Sequence, residues 1–254
     1  MITNTSNTIN ALFREITAVA TIRNLTVAGN ISMTSPNQSG TLVAAGIVGK
    51  VMRDITLSLD SPLHETTRAV IENCYSNVNI TITSQVTLTV VGGIVAQGSQ
   101  LHIQNCIVAG TWNLQVGQYS SVGGVIENLS SLLGVTSHTI SDNINLSTII
   151  TNGTSNSVSA RIAGIVGVAT NTKIINNINY GFLKNTTLNT ITETVTSGIV
   201  GGGGSTFLEI IISNNFNSGV LEGQQIIGCI LGVPSSNQIM LNNHYDKQMC
   251  GEED

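Results

Sequence analysis

Val91-Gly92-Gly93-Ile94-Val95 and, after a short gap, Ile103-Gln104-Asn105-Cys106-Ile107-Val108-Ala109-Gly110-Thr111-Trp112 decide the architecture, because both segments recur in the same order along the chain. The first unit is a small residue, then glycine, then two apolar residues. It returns as Ala45-Gly46-Ile47-Val48, Gly123-Gly124-Val125-Ile126, Ala163-Gly164-Ile165-Val166 and Ser197-Gly198-Ile199-Val200, with a weaker copy at Ile227-Gly228-Cys229-Ile230. The second unit opens on Ile-x-Asn. It returns at Ile71-Glu72-Asn73-Cys74, Ile140-Ser141-Asp142-Asn143, Ile174-Ile175-Asn176-Asn177 and Ile212-Ser213-Asn214-Asn215. An early copy is Ile22-Arg23-Asn24, and a truncated last one is Met240-Leu241-Asn242-Asn243. The repeat glycines Gly46, Gly93, Gly124, Gly164, Gly198 and Gly228 stand 30 to 47 residues apart, so the array is regular in order but not in length. Self-similarity of this kind marks a stacked repeat, in which no single unit can bury its own apolar side.

The local chemistry of each unit is that of strands and tight turns. Short apolar alternation, many β-branched residues and poor helix formers between them argue against helices. Apolar residues two before, two after and seven after the asparagine are expected to face one interior. The Gly-Gly-Ile-Val segments are expected to be strands whose glycines permit close approach. The column Asn24, Asn73, Asn105, Asp142, Asn176, Asn214 and Asn242 is expected to form a ladder at a tight turn, each side chain bonding to backbone or to its neighbours above and below. The glycine five residues later would allow positive φ at a corner. Only Ala11–Val19 reads as a short helix, as an N-terminal cap. The expected fold is therefore all-β: a right-handed parallel β-helix (β-solenoid) of about six to seven irregular coils. A lead-in or cap covers residues 1–20, the repeat domain 21–245 and an acidic tail 246–254.

Composition narrows the function. Charged residues make up 9% of the 254 residues and the net charge is −5. No Lys or Arg lies between Arg68 and Arg161, so the middle of the chain offers no basic face for phosphates. Nucleic acid and an anionic membrane surface are therefore not expected as partners, and direct membrane insertion is not expected because no uncharged apolar run approaches the ~20 residues a membrane helix needs. The opening MITNTSNTIN is polar and shows no secretory leader. Cys74, Cys106, Cys229 and Cys250 lack metal-ligand spacing and read as small buried residues, with a Cys74–Cys106 disulfide as the alternative. Sequons such as Asn24-Leu25-Thr26 and Asn79-Ile80-Thr81 would permit glycosylation in a eukaryotic secretory host.

The alternation of the two units resembles the GLUG-motif repeat over about residues 20–245. Val91–Val95 through Asn105-Cys106 and Gly110 carries the resemblance, as does Ala163–Gly167 through Asn176-Asn177 and Gly181. Asn242-Asn243-His244-Tyr245-Asp246-Lys247 looks like the stop that closes such arrays. The sequence departs from the pattern where Asp142 replaces the asparagine and where Val78 and Ser147 replace the turn glycine. The resemblance implies a β-solenoid of secreted or surface-anchored, adhesin-like proteins. It places the chain in the extracellular space or at the cell surface, as part of a longer exported chain, and brings no catalytic motif with it.

No chemistry stands out against that reading. The acids are isolated, and no column pairs two carboxylates. Glu72 faces Gln104, and Asp142 faces Asn105 and Asn176. The histidines His64, His102, His138 and His244 are scattered and read as surface or cap residues. Gly201–Gly204 lacks the Lys-Ser/Thr of a phosphate loop. No cofactor, metal or catalytic residue is expected. The leading expectation is a non-catalytic scaffold presenting loops to glycans or host proteins. Its candidate binding loop carries Arg53, Asp54, Asp60, His64, Glu65 and Arg68. A self-associating fibre joined through coil ends is the second reading. A β-helix carbohydrate-active enzyme using the same loop is the third.

Overall fold

The chain folds as a parallel β-solenoid of seven coils. The computed structural model describes residues 2–3, 8–35, 40–52, 68–84, 87–116, 119–129, 138–153, 159–187, 194–203, 209–223 and 225–251. Among the described residues, three sheets contain seven strands each, a fourth contains twelve, and every strand pairing is parallel. The third coil shows the plan. Leu88–Gly92 belongs to the first sheet, Val95–Gly98 to the second and Leu101–Gln104 to the third. Ile107–Ala109 and Thr111–Val116 lie one after the other on the fourth. Successive coils stack in register, so Ile71, Ile103, Ile140, Ile174 and Ile212 form one column. At the usual strand spacing the seven coils rise about 30 Å.

Alternation fixes which side chains enter the bore. Along Thr111–Val116, Trp112, Leu114 and Val116 are buried and the residues between them are exposed. The Trp112 indole Nε1–H donates to the Val78 carbonyl at 2.9 Å, which satisfies its polar edge inside the core. The Ile column two residues before the asparagine is buried, as is the column seven after it, formed by Ile80, Trp112, Ile149, Leu183 and Leu221. Each full burial contributes about 1.5–3 kcal/mol.

The expected phase fails at the position two after the asparagine. Asn24, Asn73, Asn105, Asp142, Asn176, Asn214 and Asn242 all adopt the left-handed conformation, with φ between 50° and 58°. One left-handed residue breaks the strict inside–outside alternation of a strand. The residue immediately after it therefore points inward, and the next one, Tyr75, Ile107, Ile144, Ile178 or Phe216, points outward. The turn asparagines themselves are exposed.

The inward slot after the turn carries the ladder. It is occupied by Cys74 and Cys106 in the second and third coils, then by Asn143, Asn177, Asn215 and Asn243. Asn143 Nδ2 donates to Asn177 Oδ1 at 3.0 Å, Asn177 Nδ2 to Asn215 Oδ1 at 3.0 Å, and Asn215 Nδ2 to Asn243 Oδ1 at 2.9 Å. Each amide also donates back to the preceding coil, Asn143 to the Ile103 carbonyl and Asn177 to that of Ile140. Each Oδ1 also accepts a backbone N–H, as from Cys106 to Asn143 at 2.9 Å. A second column runs two residues later. Asn145 Nδ2 donates to Asn179 Oδ1 and Asn179 Nδ2 to Asn217 Oδ1, both at 2.8 Å. The same slots hold Val27, Ser76 and Val108 nearer the N-terminus. The interior thus changes along the axis from apolar side chains to stacked amides, whose amide-to-amide hydrogen bonds all run toward the C-terminal end.

The Gly-Gly-Ile-Val segments are corners rather than strands: Gly93 and Ile94 lie between the strands ending at Gly92 and starting at Val95. The glycine is demanded by close approach, since φ is not positive at these positions. A Cβ on Gly164 would collide with the Gly198 carbonyl and the Asn179 amide across the bore, and one on Gly124 with the Gly164 carbonyl and Asn145. Of the glycines expected five residues after the turn, Gly29 and Gly110 have positive φ, while Gly181 is needed for lack of room beside Asn145 and Ser147. In the last coil Gly228 aligns with Ser197, so Cys229, not Gly228, occupies the corner slot. Gly164→Ala is expected to cost about 3 kcal/mol, read as a fall in the midpoint of denaturant unfolding.

The first coil begins before residue 21, while the last strand ends at Tyr245. The expected helix over Ala11–Val19 is instead a strand, Phe13–Thr17, paired with Val48–Met52 of the second coil. An available parallel strand edge overrides a modest helical pattern. Residues after the last strand, His244–Tyr245, form a short 3-10 turn, Gln248–Cys250.

Candidate functional site

The outward slot two after the turn builds a ribbon on the fourth sheet, with Ile107, Phe216 and His244 exposed and Tyr75, Ile144 and Ile178 half-buried. Tyr75, Ile107, Ile144, Ile178, Phe216 and His244 stack in register there. Beside it, Leu146 and Tyr180 are 49% and 50% exposed, too open for core side chains. Tyr180 meets Phe216 edge to face, with ring centroids 6.3 Å apart. Along one border runs the exposed column of turn residues, where Asn176 Nδ2 donates to Asp142 Oδ1 at 3.1 Å. An apolar strip with aromatic faces therefore lies next to a row of amides. That pairing suits a ligand with both C–H faces and hydroxyl or amide groups. The seven turn positions share this surface, but their role in the fold is the left-handed turn, while the buried ladder falls to the residues after them.

The third sheet carries the main ionic row. Arg23 Nε lies 2.5 Å from Glu72 Oε1, and Gln104 Nε2 donates to Glu72 Oε2 at 3.5 Å. Of the candidate binding loop, Arg53, Asp54, Asp60, His64 and Glu65 lie outside the described residues. Arg68 is described and half-buried at the start of the third-sheet strand.

His138 is not the surface residue expected. It is fully buried, and its Nδ1 accepts the Leu101 backbone N–H at 3.3 Å. The alternative Cys74–Cys106 disulfide does not form: both thiols are free and buried, and the disulfide joins Cys229 to Cys250. In-register stacking points the Cys74 and Cys106 side chains the same way, where their thiols donate to the Glu72 and Gln104 carbonyls at 3.3 Å. Cys106, hydrogen-bonded to Cys74 and desolvated, has its thiol pushed up in pKa. Cys229 holds the corner slot that Gly198 fills in the preceding coil, and there it pairs with Cys250.

One acid behaves unlike the others. Glu127 is 1% exposed, in the crook where the outer faces of the first two sheets fold onto each other. In neighbouring coils this crook pairs a larger residue on the first sheet with a small one on the second: Val90 with Ala96, Arg161 with Gly167, Val195 with Gly201. The fourth coil reverses the sizes, with Ser121 on the first sheet and Glu127 on the second. Burial pushes the Glu127 carboxyl up to about 8, against the pull of the nearby Ser121 hydroxyl and the Arg161 charge. Oε2 has no hydrogen-bond partner among the described residues. Neither a second carboxylate nor a cluster of three metal-ligating side chains accompanies it among the described residues.

The molecule is, as a class, a parallel β-solenoid with an amide-stacked core and an apolar outer ribbon. No family model, no curated protein and no solved structure matches the chain.

Proposed function

We propose that the protein is a non-catalytic, adhesin-like repeat scaffold of the cell surface or extracellular space, whose fourth-sheet ribbon binds glycans. The observation that carries this reading is the outward, in-register column from Tyr75 to Phe216, with Phe216 and the neighbouring Tyr180 exposed beside the row of turn amides. Rings such as Tyr180 and Phe216 offer flat faces for sugar C–H groups, and Asn105, Asn176 and Asn214 offer amide donors and acceptors for hydroxyls. A rigid sheet holds these groups at fixed spacing without an ordering cost on binding. The resemblance to GLUG-motif arrays supports the surface location and the exported parent chain.

The test is a glycan array probed with the 254-residue chain, followed by titration of any hit. Tyr180→Ser together with Phe216→Ser is expected to weaken binding at least about tenfold, the equivalent of 1.4 kcal/mol, with unchanged circular dichroism. Absence of any glycan hit, or cleavage of a bound polysaccharide, would overturn the reading.

A further inference from the structure

We propose that the stacked thiols of Cys74 and Cys106 form a two-coordinate site for a soft, closed-shell cation of the Cu(I) type. The two residues hold the inward slot after the turn in neighbouring coils, set side by side by the pairing of Tyr75 with Ile107. Both thiols are free, and both are buried, at 2% and 0% exposure. In the coils that follow, the same slot holds asparagines tied to one another through their amides. The cysteines put two ionisable sulfurs where the rest of the column stacks neutral groups.

Spacing favours an ion over a disulfide. Neighbouring strands stand about 4.8 Å apart, and side chains that leave them in the same direction keep nearly that separation to their tips. An S–S bond of about 2.05 Å would require both sulfurs to turn toward each other. At the metal–thiolate length of about 2.3 Å, two bonds in line span roughly 4.6 Å, close to the strand spacing. A soft ion with a linear preference therefore fits between the sulfurs as the coils already hold them. It takes the place of the proton through which Cys106 and Cys74 meet.

The slot is built to receive electron-rich atoms. Cys106 donates its backbone N–H to Asn143 Oδ1 at 2.9 Å in the next coil. One and two coils earlier the same donor meets sulfur: the Cys74 N–H serves the Cys106 sulfur, and the Leu25 N–H that of Cys74. These bonds favour thiolates, as they favour the amide oxygen above. The nearest carboxylate, Glu72, is paired with Arg23, which reduces its repulsion of negative sulfur. Binding replaces two S–H bonds by two S–metal bonds and releases both protons to solvent, with no change in oxidation state. One net negative charge remains, shared by the two sulfurs and faced by the two N–H groups.

The donor set selects the ion. Thiolate ligands favour soft cations such as Cu(I). Zinc takes four ligands in a tetrahedral structural site, and no group of three metal-ligating side chains exists among the described residues. The oxygens closest to the sulfurs are the Glu72 and Gln104 carbonyls, at 3.3 Å. Such hard ligands suit calcium or magnesium and add little for a soft ion. Because the two sulfurs belong to adjacent coils, the bound ion also ties the second coil to the third.

The test is anaerobic titration of the full chain with Cu(I), supplied as its acetonitrile complex, against the chromogenic chelator bathocuproine disulfonate. It is run on the folded chain and on chain refolded with the ion present, so that slow entry into the core does not hide the site. No thiol reductant is added, which keeps the Cys229–Cys250 disulfide closed. One ion per chain is expected to be held, with X-ray absorption showing two sulfurs in line. Cys74→Ser and Cys106→Asn are each expected to weaken retention at least about a hundredfold, since even groups that only support a ligand are worth ten- to a hundredfold. Cys106→Asn places in the slot the side chain that Asn143 provides in the next coil, so the column and the fold continue. Zn(II) is expected not to be held, and the thiol oxidant diamide to leave both thiols of the folded chain free. No retention in either preparation would overturn the proposal, as would unchanged retention by Cys106→Asn or coordination by methionine or histidine. Zinc held as tightly as Cu(I), or rapid closure of a Cys74–Cys106 disulfide, would equally overturn it. None of these readouts depends on glycan binding.

Discussion

Glu127→Gln is expected to stabilise the protein at mildly alkaline pH and to remove most of its loss of stability between about pH 4.5 and 8. The carboxyl titrates near 8 in the folded chain against 4.5 ordinarily, with burial as the main cause. Below 4.5 the group is protonated in both states and folding is not penalised. Through the window above it, the unfolded chain ionises while the folded chain holds its proton. Stability therefore falls by about 1.4 kcal/mol per pH unit and levels off above the folded pKa. Glutamine keeps the shape and cannot ionise, so the gain at pH 8 is expected to be roughly 3–5 kcal/mol. Urea unfolding of both proteins at several pH values measures it. Parallel stability curves across the window would show that Glu127 is not the group held neutral. The charges nearest the crook are Glu127 itself and Arg161 from the adjoining coil, which is half-buried and limits the effect rather than cancelling it.

Asn177→Ala should cost far more than Asn176→Ala, although the residues are neighbours and chemically identical. Asn177 Oδ1 accepts from both the backbone N–H and the side-chain amide of Asn143. Its Nδ2 donates to Asn215 and to the Ile140 carbonyl. Truncation strands two buried donors on Asn143 and opens a hole in the core. At about 1–3 kcal/mol for each stranded group, plus the lost contacts, the expected cost is about 4–6 kcal/mol. Asn176 is exposed and holds a left-handed φ of 57°, so alanine there loses the conformational preference for about 1–2 kcal/mol. Equal losses in equilibrium denaturation would mean that the amide column does not hold the coils together.

Much of the architecture was legible because the Ile-x-Asn unit ties three physical demands to fixed positions: a buried aliphatic residue, a left-handed turn and an apolar residue seven later. What escaped follows from that turn. Strict alternation predicts Ile107 and Ile178 inside, but a single left-handed residue shifts the phase and brings Cys106 and Asn177 in instead. The doublets Asn176-Asn177, Asn214-Asn215 and Asn242-Asn243 were the available signal, since one asparagine suffices for a turn and the second needs another purpose. The shared slot of cysteine and asparagine was a further hint. It admits small side chains that tolerate burial and can donate a hydrogen bond. Ser121, Glu127 and Arg161 could not be grouped from sequence, because they meet across a fold between two sheets rather than along a column. The Cys229–Cys250 pairing is also a property of the chain's last turn, where the repeat no longer applies.

The direction of the amide stack has a consequence for how the molecule can lengthen. Every winding from Asp142 to Ser218 offers acceptors on one side and donors on the other, so any one of them could be copied between its neighbours with no dangling group left at the joints. The windings around Cys74 and Cys106 lack that two-sided valence, and their thiols donate to carbonyls and pair with each other instead. Growth or loss of whole turns would then be tolerated in the amide half and resisted where the filling passes from thiol to amide, a seam between Cys106 and Asn143 that fixes one end of the interchangeable stretch.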